Sequence, residues 1–227
     1  MKKSSRLSGF FYLGMILFGV FAQLIRSNVL VFGDNAKPFE EIVGSSMLLR
    51  LALMSDLAMM VFHLLTAWVL YIQLKNINKS QSLLFLILTI VSVAIMSVNM
   101  LNHMAIIEII TADYVKFNDA IMISQFFANL HKYGYLIAQV YFGLWLFPLG
   151  IIIIKSKIMP KYFGIMLIAA TFGALSEVFV TFLFPGKDFI AYPGLIIAMV
   201  GEFSLCFWLL FKGISIENEK EQREVSE

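Results

Sequence analysis

Apolar residues dominate this chain in six long runs, at about 7–25, 47–74, 82–107, 133–154, 162–184 and 190–211. A helix that crosses the hydrocarbon core of a bilayer needs about 20 mainly apolar residues. Each run reaches or approaches that length, so the pattern predicts six transmembrane helices joined by short polar connections. Two connections carry a helical signal of their own. Pro38 suits the first turn of a helix that Asp34 can cap, and Phe39, Ile42, Val43, Ser46 and Met47 continue an apolar stripe into the second run. This stretch is either the start of one long helix or a short amphipathic helix at the interface that then bends inward. In the 109–130 connection, Asp113, Lys116, Asp119 and Gln125 alternate with apolar residues, which predicts an interfacial helix before the fourth span. Prolines 160, 185 and 193 fall near helix ends, whereas Pro148 lies inside the fourth run and predicts a kink there.

Composition agrees. The 227 residues are 60% hydrophobic and 14% charged, against about 45–50% and about 25% in soluble domains. The excess is too large for a core of this size to bury, and lipid is its natural sink. The N-terminal run follows Lys2, Lys3 and Arg6 as a signal peptide would. It is longer than the usual hydrophobic core of such a peptide, however, and no small-residue cleavage site follows it, so it is read as a retained helix. With the N-terminus inside, eleven Lys and Arg residues fall on the cytoplasmic side and six on the other, as the positive-inside rule requires. The expected architecture is therefore an all-α, six-helix transmembrane bundle over 1–216, with both termini cytoplasmic and a charged, disordered tail over 217–227. The net charge of +2 has no basic stripe, which argues against nucleic acid. The single cysteine, Cys206, excludes an intrachain disulfide and a cysteine-based zinc site.

Several stretches carry a resemblance. They are Arg6-Leu7-Ser8-Gly9 with Tyr12-Leu13, Leu48-Leu49-Arg50-Leu51 with Asp56-Leu57, and Val98-Asn99-Met100-Leu101-Asn102. Further on come Leu130-His131-Lys132-Tyr133-Gly134-Tyr135, Phe142-Gly143-Leu144, Met159-Pro160-Lys161-Tyr162-Phe163-Gly164 and Gly201-Glu202-Phe203-Ser204-Leu205. Together, in this order, they resemble an uncharacterised bacterial membrane family, domain of unknown function 4386. The resemblance implies a bacterial cytoplasmic membrane and brings no activity with it. It also implies an acidic residue near Ser46, and this chain has none there.

The chemistry is confined to a few polar residues inside the runs. An ionisable side chain in the hydrocarbon costs about 2.5–3.5 kcal/mol on insertion scales, so it is expected to face a partner or a wet cavity. Asp56 and His63 lie on the second span, seven residues apart and on one face. Asn99, Asn102 and His103 share one face of the third span at i, i+3, i+4, and His131, Tyr135 and Gln139 step by four along the fourth. Glu177 and Glu202 lie on the fifth and sixth. In the orientation above nearly all fall in the outer leaflet, with Glu202 near the midplane. The expectation is a polar pocket among helices 2 to 6 that opens outward, with Arg26 and Arg50 at its mouth as charge partners for Asp56 or Glu177. Tyr12 and glycines 9, 14 and 19 are read as packing residues. No helix carries two histidines at i, i+4, and no H-E-x-x-H, nucleophile elbow or phosphate loop is present, so neither metal nor cofactor is assigned. The functional expectation is a binder or transporter of a small molecule or ion that forms homo-oligomers. The alternatives are an accessory membrane protein, whose polar groups only fix helix packing, and a lipid-processing enzyme.

Overall fold

The computed structural model describes residues 2–32, 37–112, 117–156 and 158–214, and these contain helices and no strand. The elements are α1 (Lys2–Val29), α2 (Phe39–Gly44), α3 (Ser46–Leu74), α4 (Lys79–Thr111), α5 (Phe117–Leu144), α6 (Leu146–Lys155), α7 (Lys161–Leu183), a 3-10 turn (Asp188–Ala191) and α8 (Tyr192–Phe211). Six spans are long and apolar enough to cross a membrane, α5 and α6 together forming the fourth. The chain is thus an all-α, six-span membrane protein. Asp34, Asp113, Lys116 and the tail over 217–227 lie outside the described residues.

In α1, α4 and the α5–α6 span the helix outruns the apolar segment that announced it. Hydropathy marks only the part that lipid requires, while helical hydrogen bonding continues into polar flanks. The 33 residues of α4 make about 50 Å at 1.5 Å each. Asn78 stops α4 from running back further, its Oδ1 accepting the N–H of Gln81 at 3.1 Å. Inside the spans, Thr89 and Thr171 give their hydroxyls to carbonyls one turn back, as Ser156 does just past the end of α6, so they present no unpaired donor to lipid. The outer faces carry large apolar side chains such as Phe10, Leu17, Phe172, Phe179 and Phe211, a surface suited to acyl chains.

Two local expectations are decided here. The stretch before α3 is a separate short helix: the chain breaks at Ser45, Ile42 is buried, and Glu40 and Glu41 face out. The apolar stripe ends at Val43, since Met47 is exposed. No separate helix precedes the fourth span among the described residues. Asp119 and Gln125 instead belong to α5 itself, because no proline interrupts 117–144. Pro148 then has its effect. It offers no N–H to the carbonyl of Leu144, and the helix is interrupted at Trp145, between α5 and α6.

The chain divides into two compact units, with boundaries inside α1, α3, α4 and α5. Unit 1 comprises 1–13, 63–93 and 136–227. Its last three helices meet through glycines. A Cβ on Gly150 would lie 2.7 Å from the carbonyl oxygen of Gly164, and one on Gly164 would lie 2.6 Å from that of Gly150. Gly173 and Gly194 make the same reciprocal contact between α7 and α8, and Gly9 seats α1 on the backbone of α8. Small residues matter here because lipid gives helices no hydrophobic reason to associate; close van der Waals contact must supply it. Trp145, fully buried, packs edge-on against Tyr12 and His63 at 5.7 and 5.1 Å between ring centroids. Unit 2 comprises 14–62 and 94–135. Its apolar core is Val29, Ile42, Leu49, Ile106, Ile107 and Ile110, so the short α2 is tied down by Ile42.

Candidate functional site

Unit 2 gathers charged and imidazole side chains from four helices. Arg26 sits in the last turn of α1, Asp56 is on α3, His103 on α4 and His131 on α5. All four are buried; Asp56 is 1% exposed and His103 not at all. Arg26 Nη1 is bonded to Asp56 Oδ2 in a buried ion pair, and Arg26 Nη2 donates to Gln23 Oε1 at 3.2 Å. Of the two mouth arginines, Arg26 is therefore the partner of Asp56, while Arg50 is exposed.

The two imidazoles lie edge to face, 5.6 Å between centroids. One donor atom each from Asp56, His103 and His131 lie within 4.8 Å of one another. Asn99 holds His131 in place twice over. Its Nδ2 donates to the backbone carbonyl of His131 at 3.0 Å, and its own carbonyl faces His131 Nδ1 at 3.5 Å. A carbonyl can only accept, so Nδ1 carries the proton in that contact and Nε2 keeps its lone pair. Asn102 Nδ2 donates to Asn99 Oδ1 at 3.0 Å and fixes the amide. His103 faces the backbone of Leu49 with one ring nitrogen, and its other nitrogen, like Nε2 of His131, is buried without a hydrogen-bond partner. Buried polar atoms are almost always satisfied in folded proteins, and here two imidazole nitrogens, one on each histidine, are not.

One residue of this site escaped the sequence reading. A Cβ on Gly134 would strike Asn99 Oδ1, so the amide occupies space that only a glycine on α5 leaves open. Its signal was its place in the His131-Lys132-Tyr133-Gly134 stretch, but a glycine one turn beyond a histidine has no specific meaning until its neighbour is known.

The remaining expected site residues are placed as follows. Tyr135, in unit 2, is 41% exposed. In unit 1, Gln139 Nε2 donates to Glu177 Oε2 at 2.7 Å and to the carbonyl of Ala174 at 3.0 Å, which joins α5 to α7. Tyr12 donates to Glu202 Oε2 at 3.4 Å, linking α1 to α8. Tyr12 thus has a polar role beside the packing role expected of it. His63, seven residues from Asp56, packs against Phe142 and Trp145 in unit 1, and it belongs with that aromatic group.

Among the described residues, Asp56, His103 and His131 form a group whose donor atoms are close enough to hold a metal ion. No metal was assigned from the sequence, because the three ligands sit on three different helices and keep no motif spacing. The profile of a family described as a domain of unknown function (DUF4386) matches residues 7–213. No curated protein and no solved structure matches the chain.

Proposed function

The chain belongs to the DUF4386 family, and on that premise we propose that it is a membrane-embedded binder of an ion or small polar ligand, centred on Arg26, Asp56, His103 and His131. One observation carries this reading: two imidazole nitrogens without partners, one on each of His103 and His131, stand beside a buried carboxylate–guanidinium pair. Each unsatisfied buried group costs about 1–3 kcal/mol; His63 Nε2 and Trp145 Nε1 are open in unit 1 as well, but among the described residues it is His103 and His131 that stand with a carboxylate within 4.8 Å. In this reading the ligand supplies the missing partners. The distribution of Lys and Arg supports cytoplasmic termini and hence a site nearer the outer face, since Arg26 ends the first span.

The test is ligand-induced thermal stabilisation of the purified protein across a panel of ions and small polar molecules, in the wild type and in Asp56→Asn. A midpoint shift that the wild type shows and Asp56→Asn lacks supports the reading. Shifts of equal size in both, or none from any panel member, overturn it.

A second reading, that polar groups only fix helix packing, is favoured for unit 1. Gln139–Glu177 and Tyr12–Glu202 are direct bonds between helices, of the kind worth about 0.6 kcal/mol in membranes. Substitutions there should change stability without changing the response to ligand.

A further inference from the structure

We propose that Asp56, His103 and His131 bind one divalent first-row transition-metal ion of the zinc class. The inference rests on the reading of this cluster as a binding centre and names what fills it. Two imidazoles and a carboxylate form a donor set that suits zinc and its chemical neighbours better than magnesium or calcium, which prefer oxygen. With all three donor atoms within 4.8 Å of one another, a single point lies within about 2.8 Å of each, against about 2.0–2.2 Å for zinc–nitrogen and zinc–oxygen bonds. Side-chain adjustments of about 0.6–0.8 Å per ligand would close that gap.

The surroundings match what a metal site needs. A ligating histidine almost always donates its second ring N–H to a carbonyl or carboxylate, which fixes the tautomer and aims the other nitrogen at the ion. His131 does so through Nδ1 and the Asn99 carbonyl, leaving Nε2 unpartnered. His103 is arranged in the same way, one ring nitrogen facing the Leu49 backbone and the other without a partner. Arg26 bonds only one of the two carboxylate oxygens of Asp56, and a ligating carboxylate is ordinarily hydrogen-bonded in this way. Arg26 also has a consequence for the fourth position. Two neutral imidazoles and a carboxylate already paired with a cation leave much of the ion's charge uncompensated. An anionic fourth ligand, such as hydroxide or the carboxylate or phosphate of a small molecule, is therefore favoured. Three protein ligands with one exchangeable position is the arrangement of reactive rather than structural zinc sites.

The experiment uses tag-free, full-length protein in detergent or nanodiscs. Zinc is measured by elemental analysis and by competition with a chromogenic chelator, and cobalt(II) replaces it as a spectroscopic probe. The expected result is one ion per chain in the wild type, with visible cobalt bands of four- or five-coordinate intensity. His103→Gln and His131→Gln should each weaken binding by more than about 100-fold, since loss of an outer-shell partner alone costs 10–100-fold. Asn99→Ala should fall within that smaller range and shift the cobalt bands, whereas His63→Gln should still bind one ion. The cobalt spectrum of the wild type needs no variant to fold. If the wild type takes up neither zinc nor cobalt while its ligand shift still depends on Asp56, the metal assignment falls and the binding-site reading survives. If both are absent, both fall. Uptake that is unchanged in His103→Gln and His131→Gln places the ion elsewhere and also overturns the proposal.

Discussion

Replacing Asp56 by asparagine keeps the side chain's shape and deletes the charge that faces Arg26. The two side chains are 8% and 1% exposed, for Arg26 and Asp56 respectively, so the guanidinium has little access to water when its partner is neutralised. Removing one member of a buried ion pair costs about 3–5 kcal/mol, most of it the penalty of the stranded charge. Two features set the lower end of that range here: the bond from Arg26 to Gln23 persists, and the asparagine carbonyl can still accept one N–H. The expected loss is about 3 kcal/mol, or about 6–12 °C in midpoint for a chain of this length. The reverse single change, Arg26→Met, strands the carboxylate and should cost a similar amount. Arg26→Met with Asp56→Leu removes both charges, and the double variant should fall within about 1 kcal/mol of the wild type or exceed its stability. The assay is reversible unfolding in mixed micelles, titrated with a denaturing detergent and followed by tryptophan fluorescence. If each single variant costs under about 1 kcal/mol, or if the double equals the sum of the singles, the pair is not the buried, coupled contact described above.

Gly134→Ala places a methyl group against Asn99 Oδ1, so it should cost about 1–3 kcal/mol in the same assay and weaken ligand or metal response, because Asn99 must let go of His131 or Asn102. Gly164→Val should destabilise by more than about 1–3 kcal/mol without altering that response, since it forces α6 and α7 apart in unit 1. Tyr12→Phe removes a long hydrogen bond to Glu202 and keeps the ring on Trp145, so its stability loss should stay near the low end of about 0.5–1.5 kcal/mol. Reporter fusions or cysteine labelling at the two termini should report the same side of the membrane; opposite sides would exclude six crossings.

The sequence by itself determined the membrane and the number of crossings. The apolar excess has no other sink, and an unpaired backbone polar group in hydrocarbon is so costly that each long apolar run has to be helical. It also determined which side chains needed an explanation, because Asp56, His103, His131, Glu177 and Glu202 are expensive in lipid wherever they sit along a helix. One partner was legible: Arg26, at the end of the first run, was a candidate for Asp56 and is its partner. Legible too was that Gly9, Gly14 and Gly19 mark close approach, since Gly9 meets α8, Gly14 meets Phe62 and Gly19 meets Met59.

Only the tertiary structure decided which polar residues meet. A soluble helix shows its buried face by alternating with a polar one, but here the lipid face and the packed face are both apolar, so the pattern does not reveal how each helix is rotated about its axis. Asn99, Asn102 and His103 could be put on one face of α4, yet nothing local said that this face would meet His131 through the gap left by Gly134. In the same way Gln139 could be grouped with His131 by spacing, while its bonds go to α7. The metal-competent trio draws on α3, α4 and α5 and keeps no spacing along the chain. It exists because helix rotation and depth register, set by packing, bring three separated residues to one point.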